Sequence, residues 1–143
     1  MELLSNITLA PHTWMKVGGP ADFYANIKTK KDLEEAFQFA KQKHLPIRYL
    51  GQGSNLIFPD EGIRGLVIHL ENEDLRIDQD FRTDSALVSC EAGKILSRLI
   101  VDCRKQGLKG LNNFGGIPGV VGAAVRGNIG IPAQEFGELV KRV

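Results

Sequence analysis

Residues 114–124, FGGIPGVVGAA, hold four glycines and one proline and carry no charge. Glycine adopts positive φ at little cost and lets another backbone or a ligand come close, while proline fixes φ and removes a donor. A stretch of this composition cannot run on as a long regular element, and it forms rigid turns with bare N–H groups. A second run of the same character, Gly51-Gln52-Gly53-Ser54-Asn55, directly follows the apolar segment Ile47-Arg48-Tyr49-Leu50. Two amide-rich turns in one small chain suggest one ligand held from two sides.

The periodicity around these turns is mixed. Residues 22–27 read as a strand, and Thr29 with Asp32 forms a cap pair opening a helix over residues 30–43, with Leu33, Ala36, Phe37 and Ala40 on one apolar stripe. Pro46 stops that helix. A strand at 47–50 then completes a β-α-β unit that delivers the chain to Gly51 at a strand's carboxyl end, where open α/β sheets bind ligands. Further strands are expected at 65–70, 75–77 and 86–92, mostly antiparallel, with the polar turn 80–85 between the last two. Residues 94–106 repeat apolar positions at helical spacing, and Gly107 supplies a left-handed stop. Glu135 opens an amphipathic or strand-like element with no terminator before Val143. The break at residues 60–65 is the expected boundary between two lobes, 1–62 and 63–143.

Charge and composition exclude several classes. Eighteen basic and 17 acidic residues in 143 give a net charge of +1, and no basic block supplies a field for nucleic acid or an anionic membrane. No apolar run reaches the ~20 residues of a membrane span, and the amino terminus lacks a signal-peptide pattern, so a cytoplasmic location is expected. Cys90 and Cys103 lack metal-ligand spacing and read as reduced, buried small hydrophobes. His12, His44 and His69 are scattered over a loop, a helix end and a strand, which disfavours a metal site. Asp22, Asp60, Glu61 and Glu91 read as solvated or capping carboxylates, and no catalytic residue is assigned.

The chemistry of the two runs is open at this level. Gly51-Gln52-Gly53 begins like a dinucleotide fingerprint, but its sixth position is Leu56, so a nicotinamide-binding site is disfavoured. Its N–H groups, the Ser54 hydroxyl and the Asn55 amide could form an anion-binding nest; a plain strand-to-strand turn is the alternative. Residues 114–124 lack the Gly-Lys-Ser/Thr of a mononucleotide loop. The spacing of Gly116, Gly119 and Gly122 suits a short helix after Pro118 whose first N–H groups point at a pyrophosphate, or simply tight packing or a hinge. Arg126 could stand beside a phosphate or on the surface.

The sequence Thr13-Trp14-Met15-Lys16-Val17-Gly18-Gly19-Pro20-Ala21 resembles the amino-terminal signature of the UDP-N-acetylenolpyruvoylglucosamine reductases, flavoenzymes of peptidoglycan precursor synthesis. So do residues 50–56, residues 60–65 and residues 116–124 with Asn128. The four motifs occur in order and cover nearly the whole chain. The resemblance implies an α+β, two-lobed FAD-binding fold of the vanillyl-alcohol-oxidase type. It implies that Gly51, Gln52, Gly53, Ser54, Asn55 and Leu56 line the cofactor. It implies the same for Gly115, Gly116, Ile117, Pro118, Gly119, Gly122, Ala123 and Ala124, together with Asn128. In the family, NADPH reduces FAD, and a UDP-sugar enolpyruvyl ether is reduced to UDP-N-acetylmuramate. The family usually has glycine where Ala123 stands and Asn-Ala-Gly where Asn128-Ile129-Gly130 occurs. Its substrate-binding arginine, proton donor, late glutamate and UDP-sugar domain have no counterpart in the matched region. The resemblance therefore implies the cofactor-binding front part of such an enzyme, not catalytically complete alone. Alternatives are an FAD-dependent oxidase or dehydrogenase of a small hydroxy acid or sugar, and a non-catalytic flavin- or partner-binding remnant that self-associates or pairs with the missing half.

Overall fold

The computed structural model describes residues 1–132 and 134–143 and divides them into two compact units, Met1–Asn72 and Glu73–Val143. The first unit contains β1 (Glu2–Thr8), β2 (Pro20–Ile27), α1 (Lys30–Gln42), β3 (Ile47–Leu50) and β4 (Ile63–Leu70), the strands forming one sheet in the order β1-β2-β4-β3. β1 runs antiparallel to β2, while β4 is parallel to both β2 and β3.

Two expectations are corrected here, and one element is new. Residues 65–70 are the centre of a parallel set, because β4 inserts between the two strands that α1 connects. The boundary falls after Asn72 instead of after residue 62, since β4 is paired on both sides within the first unit. β1 is an element that the sequence did not announce. Its side chains are mostly exposed, so it shows little hydrophobic alternation.

α1 begins as expected: Thr29 accepts from the Asp32 N–H, and the Asp32 carboxylate accepts in return from the Thr29 N–H at 2.9 Å. The helix ends before Pro46. Its last helical residue is Gln42, and His44 turns the chain at φ 54°. Leu33, Ala36 and Ala40 pack on Ala25, Ile27, Leu66 and Ile68 as the stripe requires. Phe37, however, is exposed, and Phe39 fills the place expected of it, edge-on to Phe23 at 5.1 Å between ring centres. The other sheet face buries Tyr24, Leu50 and Val67 with Leu9 and Phe58.

The second unit pairs β5 (Leu75–Asp80) with β6 (Ser85–Cys90) as an antiparallel hairpin. α2 (Leu96–Lys105) and α3 (Val121–Arg126) follow, then the two-residue strands β7 (Gly130–Ile131) and β8 (Gln134–Glu135). Gly107 lies at φ 77° and ends α2, as its spacing predicts. Leu96, Leu99, Ile100 and Cys103 of α2 form the core with Phe114, Val121, Ala124 and Phe136. The element expected from Glu135 onward is a short 3-10 helix, Phe136–Leu139. Both cysteines are free, and burial raises both thiols above their ordinary pKa.

Candidate functional site

In the first unit the candidate turn leaves the carboxyl end of β3, beside the carboxyl end of β4, where Leu50 is register partner to His69. Gly53 is buried at φ 64°, and a Cβ there would overlap the His12 carbonyl oxygen and come 2.9 Å from the Thr13 Cα. The Trp14 N–H donates to the Gly53 carbonyl at 3.1 Å, so the turn lies directly on the 12–14 backbone. That backbone is itself pinned, because Thr13 is buried with its hydroxyl against the carbonyls of Ala10 and Val17, each at 3.2 Å. Gly18 and Gly19 then pass so close to Phe58 and Asp60 that side chains would collide there. The signature at residues 13–21 is thus the seat on which the 51–62 loop rests. Above this seat, Gly51, Gln52 and Ser54 are half-exposed, and Asn55 and Leu56 are exposed.

Asp22 is a capping carboxylate: it accepts from the Gly65 N–H at 3.0 Å and pairs with Arg64 at 2.9 Å. The histidines are less scattered than their positions in sequence suggest. His12 Nδ1 lies 3.1 Å and His69 Nδ1 2.7 Å from the buried Tyr24 hydroxyl, a grouping that no local spacing announces. Burial of Tyr24 raises its phenol well above the ordinary range, and burial lowers His69 below 6.5, so both of these side chains favour their neutral forms.

In the second unit the glycine-rich stretch divides into an open part and a packed part. Gly115, Gly116 and Pro118 are exposed and Ile117 is half-buried; Gly116 has φ 88°, and nothing lies within 4 Å of its Cβ position. Gly119, at φ 125°, is the hinge into a short pairing: Leu96 N–H donates to Gly119 O at 3.0 Å, Val120 bridges Ile95, and Val121 N–H donates to Lys94 O at 2.9 Å. Gly122 N–H donates to Ala92 O at 2.8 Å, and a Cβ at Gly122 would stand 2.9 Å from that of Ala92.

The helix expected after Pro118 therefore exists, but its first two N–H groups are bonded to Lys94 and Ala92 and do not point at a phosphate. Gly122 serves packing. Ala124 is buried in the core, Ala123 is exposed on the same helix, and Arg126 is on the surface. Asn128, at φ 43°, donates to the Glu135 carboxylate and accepts from the Gly137 N–H, so its amide ties the chain just after α3 to the end of β8 and the start of the following 3-10 helix. Behind the pairing, Lys94 is buried and its ammonium meets Asp102 at 2.9 Å, which holds that carboxyl below the ordinary range.

Both stretches suit a phosphate-bearing cofactor in composition: neither residues 51–56 nor residues 115–124 contain a carboxylate. Gly53, Gly116 and Gly119 all take positive φ, and Gln52, Ser54 and Asn55 add side-chain donors.

Comparison with known proteins agrees with this chemistry. The family described as "FAD binding domain" matches residues 21–143. The UDP-N-acetylenolpyruvoylglucosamine reductase of Moorella thermoacetica is 38% identical over 98% of this chain and 45% of its own length. That of Carboxydothermus hydrogenoformans is 36% identical over 99% of this chain, again 45% of its own. The crystal structure of UDP-N-acetylenolpyruvylglucosamine reductase from Thermus caldophilus superposes with a TM-score of 0.67 at 30% identity, covering 94% of this chain and 44% of that one. The chain thus spans a little under half the length of these relatives. With a family match across all but its first twenty residues, an α+β fold shared with a solved reductase and two carboxylate-free glycine turns, the chain belongs to the FAD binding domain family.

Proposed function

We propose that this chain is the FAD-binding portion of an NADPH-dependent reductase that converts UDP-N-acetylglucosamine enolpyruvate to UDP-N-acetylmuramate, a cytoplasmic step of peptidoglycan precursor synthesis. The observation that carries the reading is the 51–56 turn: a donor-rich loop at the carboxyl end of the parallel pair β3–β4, seated on the signature residues 13–21. The reductase relatives at 36–38% identity support the substrate assignment.

In this reading the N–H groups around Gly53, the Ser54 hydroxyl and the Asn55 amide bond the cofactor's phosphate oxygens. The exposed backbone at Gly115, Gly116 and Pro118 and the exposed Ala123 are the second unit's own candidate contacts to FAD. The chemistry that FAD supplies when bound is two-electron hydride transfer between NADPH and the enolpyruvyl double bond. The chain's own residues bind and orient. No proton donor for the substrate is assigned to it, and the remaining parts of a reductase come from sequence outside the matched region.

Flavin absorbance of the purified chain after FAD loading and desalting tests the reading. The unaltered chain should retain flavin. Asn55→Asp and Ala123→Asp place a carboxylate on exposed positions without crowding a core, and each should weaken retention about tenfold through repulsion of the phosphates. Equal retention by all three proteins would overturn the assigned turns.

A further inference from the structure

Tyr24 is the largest side chain in the molecule with essentially no exposure, and it carries a hydroxyl on the sheet face opposite α1. That hydroxyl has two ring partners, His69 Nδ1 at 2.7 Å and His12 Nδ1 at 3.1 Å. The three rings form one cluster, with centres 4.8 Å apart for His12 and Tyr24, 5.8 Å for Tyr24 and His69, and 6.2 Å for the two histidines. Each histidine also touches the candidate turn. The His69 ring hydrogen-bonds the Gly51 backbone. The His12 carbonyl lies where a Cβ of Gly53 would be, and two residues on, Trp14 N–H holds the Gly53 carbonyl.

We propose that Tyr24 is a positioning residue for the 51–56 turn: its buried hydroxyl ties together the two histidines that hold the turn at Gly51 and at Gly53. The bearing of this on cofactor affinity rests on the reading of that turn as phosphate-binding. A hydroxyl has one proton, so the chain of bonds runs in one direction, with one histidine donating to Tyr24 and Tyr24 donating to the other. Two imidazolium rings would both present N–H to the same oxygen and leave the buried O–H with no acceptor between them. The seat is therefore intact when at least one of the two rings is neutral.

The other groups facing the cluster are Glu71, 3.6 Å from His69, the Asn26 amide, 3.2 Å from His69 Nδ1, and Glu2, which accepts from Asn26. On the far side, the Lys16 ammonium donates to the Pro11 carbonyl. Burial, the largest cause, opposes a positive His69; Glu71 favours it, and a charge on His12 opposes it again.

The test uses the full chain and the amide hydrogen exchange of Trp14. Tyr24→Phe keeps the ring and deletes the hydroxyl, and His69→Leu deletes the other partner. Each should speed Trp14 exchange about tenfold and leave the α1 amides of Ala36 and Ala40 unchanged. His69→Asn, whose amide reaches the place of Nδ1, should restore protection. Trp14 is the one tryptophan of the sequence, so its emission reports the same seat. The emission should change as pH falls below 6.5 in the unaltered chain and stay flat in His69→Asn. If Tyr24→Phe does not fold, the two His69 variants decide.

Unchanged Trp14 exchange in the folded variants, or faster exchange spread equally over α1, would overturn the proposal. A loosened turn with unchanged FAD affinity, read by quenching of Trp14, would sustain the positioning role and sink the phosphate reading instead.

Discussion

At residue 53 a Cβ would land on the His12 carbonyl, whereas at residue 116 the same atom would meet nothing within 4 Å. Both glycines have positive φ, 64° and 88°, and in sequence both look like members of one kind of motif. The first is squeezed between its own strand's end and the 12–14 backbone. The second needs only its backbone conformation, and its surroundings are open. Gly122 is a third case, a helical glycine admitted because Ala92 stands against it. Glycine-rich segments thus combine residues that let the protein approach itself, and so fix the turn, with residues that leave backbone open.

Four measurements would break or sharpen that contrast. Gly53→Ala combines a left-handed backbone with a backbone collision, and urea unfolding should show about 3 kcal/mol of lost stability. A loss under 1 kcal/mol would mean that the turn shifts freely and that the seat is not rigid. In the second unit the packed half depends on residues 92–96 being fixed from behind. Asp102→Asn leaves the buried Lys94 ammonium without its counter-charge and should cost about 2 kcal/mol, discounted because Asp102 is partly exposed.

Gly116→Ala should cost about 1 kcal/mol, from φ alone. A cost equal to that at Gly53 would erase the distinction between open and crowded glycines. The smallest effect is with acid. His69 has a folded pKa depressed below 6.5, so its contribution to stability is complete above pH 6.5 and falls away as pH drops from there toward the folded value. The chain should therefore lose stability below pH 6.5, and His69→Asn should flatten that part of the profile. An identical profile in the variant would show that the histidine cluster does not couple to folding.

What was legible in the sequence follows from range. α1 was legible because its cap, Thr29 with Asp32, and its stripe at Leu33, Ala36 and Ala40 all lie within a few turns of each other. The choice between Phe37 and Phe39 was not, because Phe39 is selected by Phe23, on a strand before the helix. The direction of β4 was hidden for the same reason: hydrophobic runs do not say that a later strand slips between two earlier ones. In the candidate site the 51–56 turn could be found from its composition, whereas the partners that shape it, His12 and Tyr24 from one side and His69 from the other, meet only in the folded sheet. The bonded N–H groups of Val121 and Gly122 were likewise invisible, since their acceptors lie in the segment before α2.

The dependence of α3 on that earlier segment has a kinetic side. A helix of six residues without a side-chain cap is far below the length at which helices persist alone, so α3 forms only when residues 92–96 are already in place to receive it. The glycine stretch should accordingly be among the last parts of its unit to order during folding and among the first to open in the native protein. Its amides should exchange through local opening ahead of α2. A cofactor bound at its exposed edge would then close that opening, and the slowing of exchange at residues 119–126 would measure occupancy without any optical signal from the flavin.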